Sequence, residues 1–115
     1  MQKLSADIVP HYQWGNQCDG WILKEDPDLS IKQERMPPGT AEQWHYHEKA
    51  RQFFYMLQGV AMMDIGDETI PLLPEESIEI LPGTAHRIRN VSGVPVVFLL
   101  VTQPSAAQDR INITV

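Results

Sequence analysis

Two histidines separated by a single residue, His45 and His47, constrain this chain more than any other feature. In a β-strand, residues i and i+2 point to the same face about 6.5–7 Å apart, whereas neighbours on a helix are three or four residues apart. Imidazoles at this spacing share one metal ion, about 2.0–2.1 Å from each nitrogen, only from a strand. Residues 40–43 carry no helical apolar stripe, and Pro37-Pro38-Gly39 is a turn signal. We therefore predict a strand.

A second stretch, Gly83 to Asn90, carries another histidine and also follows a Pro-Gly pair. Pro38-Gly39 and Pro82-Gly83 both fit a type II turn, because proline fixes φ and the following glycine accepts a positive φ. We expect the two stretches to fold back on each other. The resulting hypothesis is that four side chains converge on one divalent metal inside a small β-barrel: His45, His47, Gln52 and His86.

The rest of the chain has the pattern of short strands separated by turns. Leu29 to Met36 alternates, with Leu29, Ile31, Gln33 and Arg35 on one side, and the pattern leaves open which side is buried. Val94–Val101 is a nearly continuous apolar run, typical of a strand covered on both faces. About nine to eleven strands with turn signals every 8–12 residues or so indicate an all-β barrel or sandwich. The two Pro-Gly-Thr turns point to the halves of a jelly roll.

Length and charge limit the possible functions. A chain of 115 residues suits one domain. The formal net charge of −6 and the pI near 5.0 disfavour nucleic-acid and anionic-membrane partners, which select basic surfaces. The N-terminus lacks the apolar core of a signal peptide, and no apolar run reaches about 18 residues. We expect a cytoplasmic protein. The one cysteine, Cys18, excludes an internal disulfide.

The two histidine stretches closely resemble the motifs of the cupin superfamily. The first motif is a glycine, five residues, His-x-His, a glutamate and a further glycine, and Gly39, His45, His47 and Gly59 match it, with Gln52 in place of the glutamate. The second is a Pro-x-Gly, a histidine and an asparagine. Its matches are Gly83, His86 and Asn90, with the proline shifted one place to Pro82.

The resemblance covers roughly residues 29–102. It implies a single-domain, conserved-barrel cupin over 1–115 with a double-stranded β-helix (jelly-roll) fold, in which 1–28 form an N-terminal strand or arm and 103–115 a closing tail. It also implies a homodimer, and a metal bound by His45, His47, Gln52 and His86.

Glutamine in place of glutamate has a chemical consequence. Three imidazoles and an amide oxygen leave the full 2+ charge on the metal, which makes the ion a stronger Lewis acid. Mixed nitrogen and oxygen ligation suits Zn, Ni, Fe, Mn or Co. The first hypothesis is therefore an isomerase- or lyase-type metalloenzyme acting on a small polar substrate such as a sugar acid or keto acid. A cupin dioxygenase is the nearest alternative, and a non-catalytic module that binds or senses a sugar-like ligand is an alternative of another class.

Parity along the strands suggests which residues line the cavity. Phe54 and Met56 share the parity of Gln52, and Ile88 that of His86, so these three are expected to face inward. Arg35 is the favoured anchor for an anionic substrate, because guanidinium binds carboxylates bidentately. Glu42 has the wrong parity to join the histidines unless the strand is bulged. No general acid or base is identifiable from the sequence.

Overall fold

The computed structural model describes residues 1–106 and 108–114. Their regular structure consists of eleven β-strands, which confirms the all-β prediction. In chain order the strands are β1 (His11–Trp14), β2 (Cys18–Asp26), β3 (Leu29–Met36), β4 (His45–His47), β5 (Arg51–Gln58), β6 (Ala61–Ile65), β7 (Glu68–Leu72), β8 (Ser77–Ile80), β9 (His86–Arg89), β10 (Val96–Gln103) and β11 (Arg110–Asn112). Within these ranges, no helix is long and apolar enough to cross a membrane.

The strands form two sheets whose paired strands are all antiparallel. One has six strands in the order β1-β2-β3-β10-β5-β8, and the other has five in the order β11-β4-β9-β6-β7. Side chains from both sheets meet in one interior, because Phe54 of the first and His86 of the second lie 6.3 Å apart between ring centroids. Two facing antiparallel sheets around one core are the architecture of a double-stranded β-helix.

The two Pro-Gly turns hold the histidine stretches in place. Gly39 and Gly83 have φ values of 77° and 78°, which residues with a Cβ rarely adopt. Gly39 N donates to Asn90 O at 2.9 Å, and Asn90 N donates to Thr40 O at 2.8 Å. These bonds join the start of the first histidine stretch to the end of the second, so that the two stretches fold back on each other as expected.

The orientation of β3, which the sequence left open, is decided by the tertiary structure. Ser30, Glu34 and Met36 are buried and face the interior. Leu29 and Ile31, the most apolar residues of the strand, lie on the other face and are only half-buried. The interior face of β3 is thus its more polar one, which is unusual for a strand and indicates a binding cavity.

Candidate metal centre

The fold brings three histidines together. His45 and His47 occupy alternate positions of the short strand β4, and His45 is the cross-strand partner of His86 on β9. The ring centroids lie 4.3 Å apart for His45 and His86, 5.1 Å for His45 and His47, and 6.2 Å for His47 and His86. All three side chains are buried. The cluster therefore forms a compact group of nitrogen donors away from solvent.

Two of the rings are oriented by the backbone two residues earlier in the chain. His45 Nδ1 lies 2.9 Å from Gln43 O, and His86 Nδ1 lies 2.8 Å from Thr84 O. When Nδ1 donates its proton to such a carbonyl, Nε2 becomes the atom with a free lone pair. Metal-bound histidines are usually held in this way by a partner on the second ring nitrogen.

Gln52, on the opposite sheet, completes the cluster. Its Oε1 lies 3.1 Å from His86 Nε2, and its Nε2 donates to Thr102 Oγ1 at 3.3 Å. A neutral imidazole has one N–H, which cannot donate to both Thr84 O and Gln52 Oε1. If Thr84 O receives the proton, two lone pairs face each other across 3.1 Å. A cation bound by both atoms would remove that conflict.

His47 has a second unmet requirement, because both of its ring nitrogens are buried without a hydrogen-bond partner among the described residues. Buried polar atoms are nearly always paired in folded proteins, and an orphan commonly indicates an ion or water. The residues present thus fit a metal ion.

The protonation state of the cluster also favours metal binding. Burial, together with the neighbouring His86, lowers the pKa of His45 to about 3 and that of His47 to about 4. Burial lowers the pKa of His86 as well. All three imidazoles are therefore neutral at physiological pH, which is the form that binds a metal.

As the side chains stand, residues 1–106 and 108–114 contain no group of three or more His, Cys, Asp or Glu that could already hold a metal ion. His86 Nε2 is engaged with the Gln52 amide, which is not one of these residue types. Ligation by this cluster would therefore require side-chain rotation, and the assignment of His45, His47, Gln52 and His86 as ligands stays a prediction.

A cavity of about 250 Å³ adjoins His47 and Gln52. It is more polar than the sequence pattern indicated, since both sheets contribute charged or hydroxyl side chains to it. The other lining residues are Tyr12, Trp14, Ser30, Lys32, Glu34, Glu42, Leu100, Thr102, Ala106 and Arg110. The sequence analysis assigned none of these to the cavity, because their positions follow from strand orientation and from the return of the chain at β11.

The prediction for Arg35 is wrong. It lies on β3 between the buried residues Glu34 and Met36, so its side chain points to the outer face and does not line the cavity. Phe54, Met56 and Ile88 face inward as expected, but they belong to the closed hydrophobic core, each at most 1% exposed. They support the site from behind rather than line the cavity.

Glu42 lies at the site even though its parity argued against this. It precedes β4 in an irregular segment, where its backbone N donates to Ile88 O at 2.9 Å. One carboxylate oxygen lies 3.8 Å from His45 Nδ1, and the other accepts from Arg110 at 3.2 Å. Burial raises the pKa of Glu42 to about 7 despite the charge of Arg110.

Comparison with known proteins decides the family. The family model Cupin_2, a cupin domain, matches residues 32–102, which is more than half of the chain. The chain belongs to the cupin family. The uncharacterized protein MJ1618 of Methanocaldococcus jannaschii is 26% identical to this cupin over 103 residues, covering 83% of this chain and 82% of that protein.

Solved structures confirm the double-stranded β-helix of this cupin. The polyketide cyclase RemF from Streptomyces resistomycificus matches with a TM-score of 0.84 at 18% identity, covering 100% of this chain and 87% of that chain. A sugar phosphate isomerase from Silicibacter pomeroyi matches with a TM-score of 0.79 at 18% identity, covering 90% and 76%. At these identities the likeness establishes the fold alone.

Proposed function

We propose that this cupin is a metalloenzyme that uses one divalent metal, bound by His45, His47, Gln52 and His86, on a small polar substrate such as a sugar acid or keto acid. The observation that carries the proposal is the unmet hydrogen bonding of the cluster. His47 has two orphaned ring nitrogens, and His86 Nε2 faces the Gln52 amide oxygen at 3.1 Å. A cation satisfies all of these atoms at once.

The donor set favours Lewis-acid chemistry. The four proposed ligands are neutral, so a bound metal would keep its full charge and polarise a carbonyl oxygen of the substrate. The chain's own residues would exclude bulk water and hold the substrate in the cavity of about 250 Å³. Its charged and hydroxyl lining suits a hydroxylated acid better than a hydrocarbon. A fold neighbour described as a sugar phosphate isomerase is consistent with this substrate class.

Elemental analysis of the purified protein beside two single variants is the decisive experiment. We expect about one metal ion per chain in the wild type and a loss of most of it in His86→Ala. His11→Ala is the matched control, because His11 is an exposed histidine that pairs with Asp19 outside the cluster. Its metal content is expected to equal that of the wild type.

Other outcomes of this experiment favour other functions. Iron in the wild type would favour the dioxygenase. A wild type that binds sugar acids without converting any sugar acid or keto acid would favour the binding or sensing module. No metal in either protein after incubation with Zn, Ni, Mn, Co or Fe would contradict the metalloenzyme.

We further propose that the protein forms a homodimer through the outer face of its six-stranded sheet. The alternate residues Val97, Leu99 and Val101 of β10 are only half-buried there, and Phe53 beside Val101 is 41% exposed. A continuous apolar face on a β-sheet commonly marks a protein–protein interface. Sedimentation of the wild type should give the mass of two chains, and Val101→Glu should shift it toward one.

A further inference from the structure

A second polar group lies in the cavity, formed by Tyr12 of β1 and Glu34 of β3. The Tyr12 hydroxyl donates to Glu34 Oε2 at 2.5 Å. Glu34 is 8% exposed, and no other hydrogen bond reaches its carboxylate within the described ranges, so Oε1 remains free. A buried carboxylate with one oxygen held and one free is suited to accept a proton from a ligand.

The Tyr12 ring is fixed by its neighbours. Gly20 of β2 pairs with both Tyr12 and Glu34 across the sheet. A Cβ at Gly20 would lie 2.0 Å from Cζ of the ring, so the ring lies directly over the glycine backbone. The Lys32 ammonium stands 5.5 Å from the ring centroid and adds a cation–π contact. These contacts hold the hydroxyl toward Glu34.

An independent observation indicates a ligand in the same cavity. Ser30 shares the inner face of β3 with Glu34 and is 2% exposed, yet its hydroxyl has no partner among the described residues. An unpaired buried hydroxyl costs about 1–3 kcal/mol. A ligand hydroxyl or carboxylate in the cavity would supply the missing bond.

The register of the sheet sets the size of that ligand. Ser30 and Gln52 are both paired with Thr102 of β10, on either side of it. Glu34 lies four residues further along β3, about 13 Å in an extended strand. A ligand that reaches from Gln52 toward Glu34 must therefore be several carbons long, as a six-carbon sugar acid is.

We propose that Glu34, held by Tyr12, is the acid–base residue that removes a C–H proton from a sugar acid of about six carbons bound in this cavity, with Ser30 bonded to one of its oxygens. The inference rests on the proposed function, because it assigns the proton transfer of the same site. Glu34 would be a catalytic residue and Tyr12 a positioning residue.

The step needs no oxidant or further reactant. The proton on the carbon next to the carbonyl moves to Glu34 Oε1, the C–H electron pair becomes a carbon–carbon double bond, and the carbonyl π pair moves to its oxygen. Return of a solvent-derived proton to the same carbon completes an exchange. Burial raises the pKa of Glu34, which strengthens it as a base. Tyr12 keeps its proton, because burial and the Glu34 charge raise the pKa of the phenol.

Hydrogen exchange tests the assignment. Protein reconstituted with nickel or zinc is incubated in D₂O with D-galacturonate or D-glucuronate, and the C2 proton is followed by NMR. We expect the wild type to exchange this proton and Glu34→Gln to be slower by about 100-fold or more. Glu79→Gln, at a carboxylate on β8 outside the cavity, is the matched control and is expected to exchange at the wild-type rate.

Tyr12→Phe supplies a readout that a purely structural role would not move. Without the phenol, the Glu34 carboxylate loses the bond that favours its ionised form, so the acidic limb of the exchange profile should shift to higher pH. The other charged groups that act on Glu34, namely Lys32, Arg110 and Glu42, are unchanged in this variant. In the metal-free protein, the Tyr12 hydroxyl should give a downfield proton resonance that both Tyr12→Phe and Glu34→Gln lose.

The outcomes separate the assignment from the function on which it rests. Undiminished exchange in a folded, metal-loaded Glu34→Gln protein overturns the assignment and leaves the metalloenzyme intact. A wild type that binds metal but exchanges neither sugar acid also overturns the assignment. A wild type that binds no metal and exchanges nothing overturns the proposed function together with it.

Discussion

The interior of the barrel is apolar at one end and polar at the other, although the same strands build both ends. Along β10, the buried side chains change from Val96 and Phe98 to Leu100 and Thr102. Along β5 they change from Met56 and Phe54 to Gln52. Cross-strand register keeps residues of similar polarity side by side, because Thr102 faces both Gln52 and Ser30.

The two ends differ in how well their atoms are satisfied. At the apolar end Phe98 is fully buried, and even the polar Asn90 has all its groups bonded. At the polar end Ser30 and His47 contain buried atoms without partners among the described residues. The first arrangement stabilises the fold, whereas the second costs stability and suits a site that a ligand completes.

The largest effect is expected from Phe98→Ala at the apolar end. Its ring packs 5.5 Å from that of Phe54, and its removal leaves a cavity that should cost about 3–5 kcal/mol. Urea unfolding measures this loss. Because the histidines lie at the other end, metal content of the folded variant should equal that of the wild type, and a metal-free variant would show that the two ends are not independent.

Asn90→Ala should cost about 2–3 kcal/mol, since it leaves buried backbone groups unpaired. The side chain donates to Met36 O at 3.1 Å and Val94 O at 2.8 Å, and accepts from Ser92 N at 2.9 Å. Asn112→Ala, in the exposed strand β11, is the control, and its free energy of unfolding should change by less than about 0.5 kcal/mol.

Acid should destabilise the metal-free protein through the polar end. The pKa values of His45 and His47, lowered to about 3 and 4, lie below their ordinary value of 6.5, so in that window the unfolded chain binds more protons and stability falls as pH falls. Glu42, with its pKa raised to about 7 from 4.5, opposes this trend until pH drops below 4.5.

Below that pH the histidines act with less opposition. Urea unfolding of the metal-free protein should therefore lose about 2 kcal/mol between roughly pH 4.5 and 3.5. A flat stability profile over this interval would show that the imidazoles are not held neutral by burial.

The smallest effect is expected from Ser30→Ala, and its sign is informative. Removing an unpaired buried hydroxyl should raise the free energy of unfolding by about 0.5–1 kcal/mol. The same change should weaken binding of D-galacturonate several-fold, measured by calorimetry on the metal-loaded protein. A loss of stability would instead mean that Ser30 is satisfied, and would remove the contrast between the two ends.

Local patterns in the sequence determined the fold class and the grouping of the proposed metal site. The His-x-His spacing requires a strand, and each Pro-Gly pair requires a turn, so His45, His47, Gln52 and His86 were expected together and do lie together. These signals are readable because spacing along one strand and a positive φ at glycine are properties of neighbouring residues.

The rest of the site depended on contacts between distant segments. The exposed Leu29 and Ile31 and the buried Ser30 and Glu34 reverse the usual hydrophobic pattern of a strand, so parity misplaced Arg35. Arg110 reaches Glu42, 68 residues earlier, only because β11 returns beside β4. The sequence alone therefore determined an all-β chain with clustered histidines. Only the tertiary structure decided which face of each strand meets the cavity, because burial of a face depends on the segments that cover it.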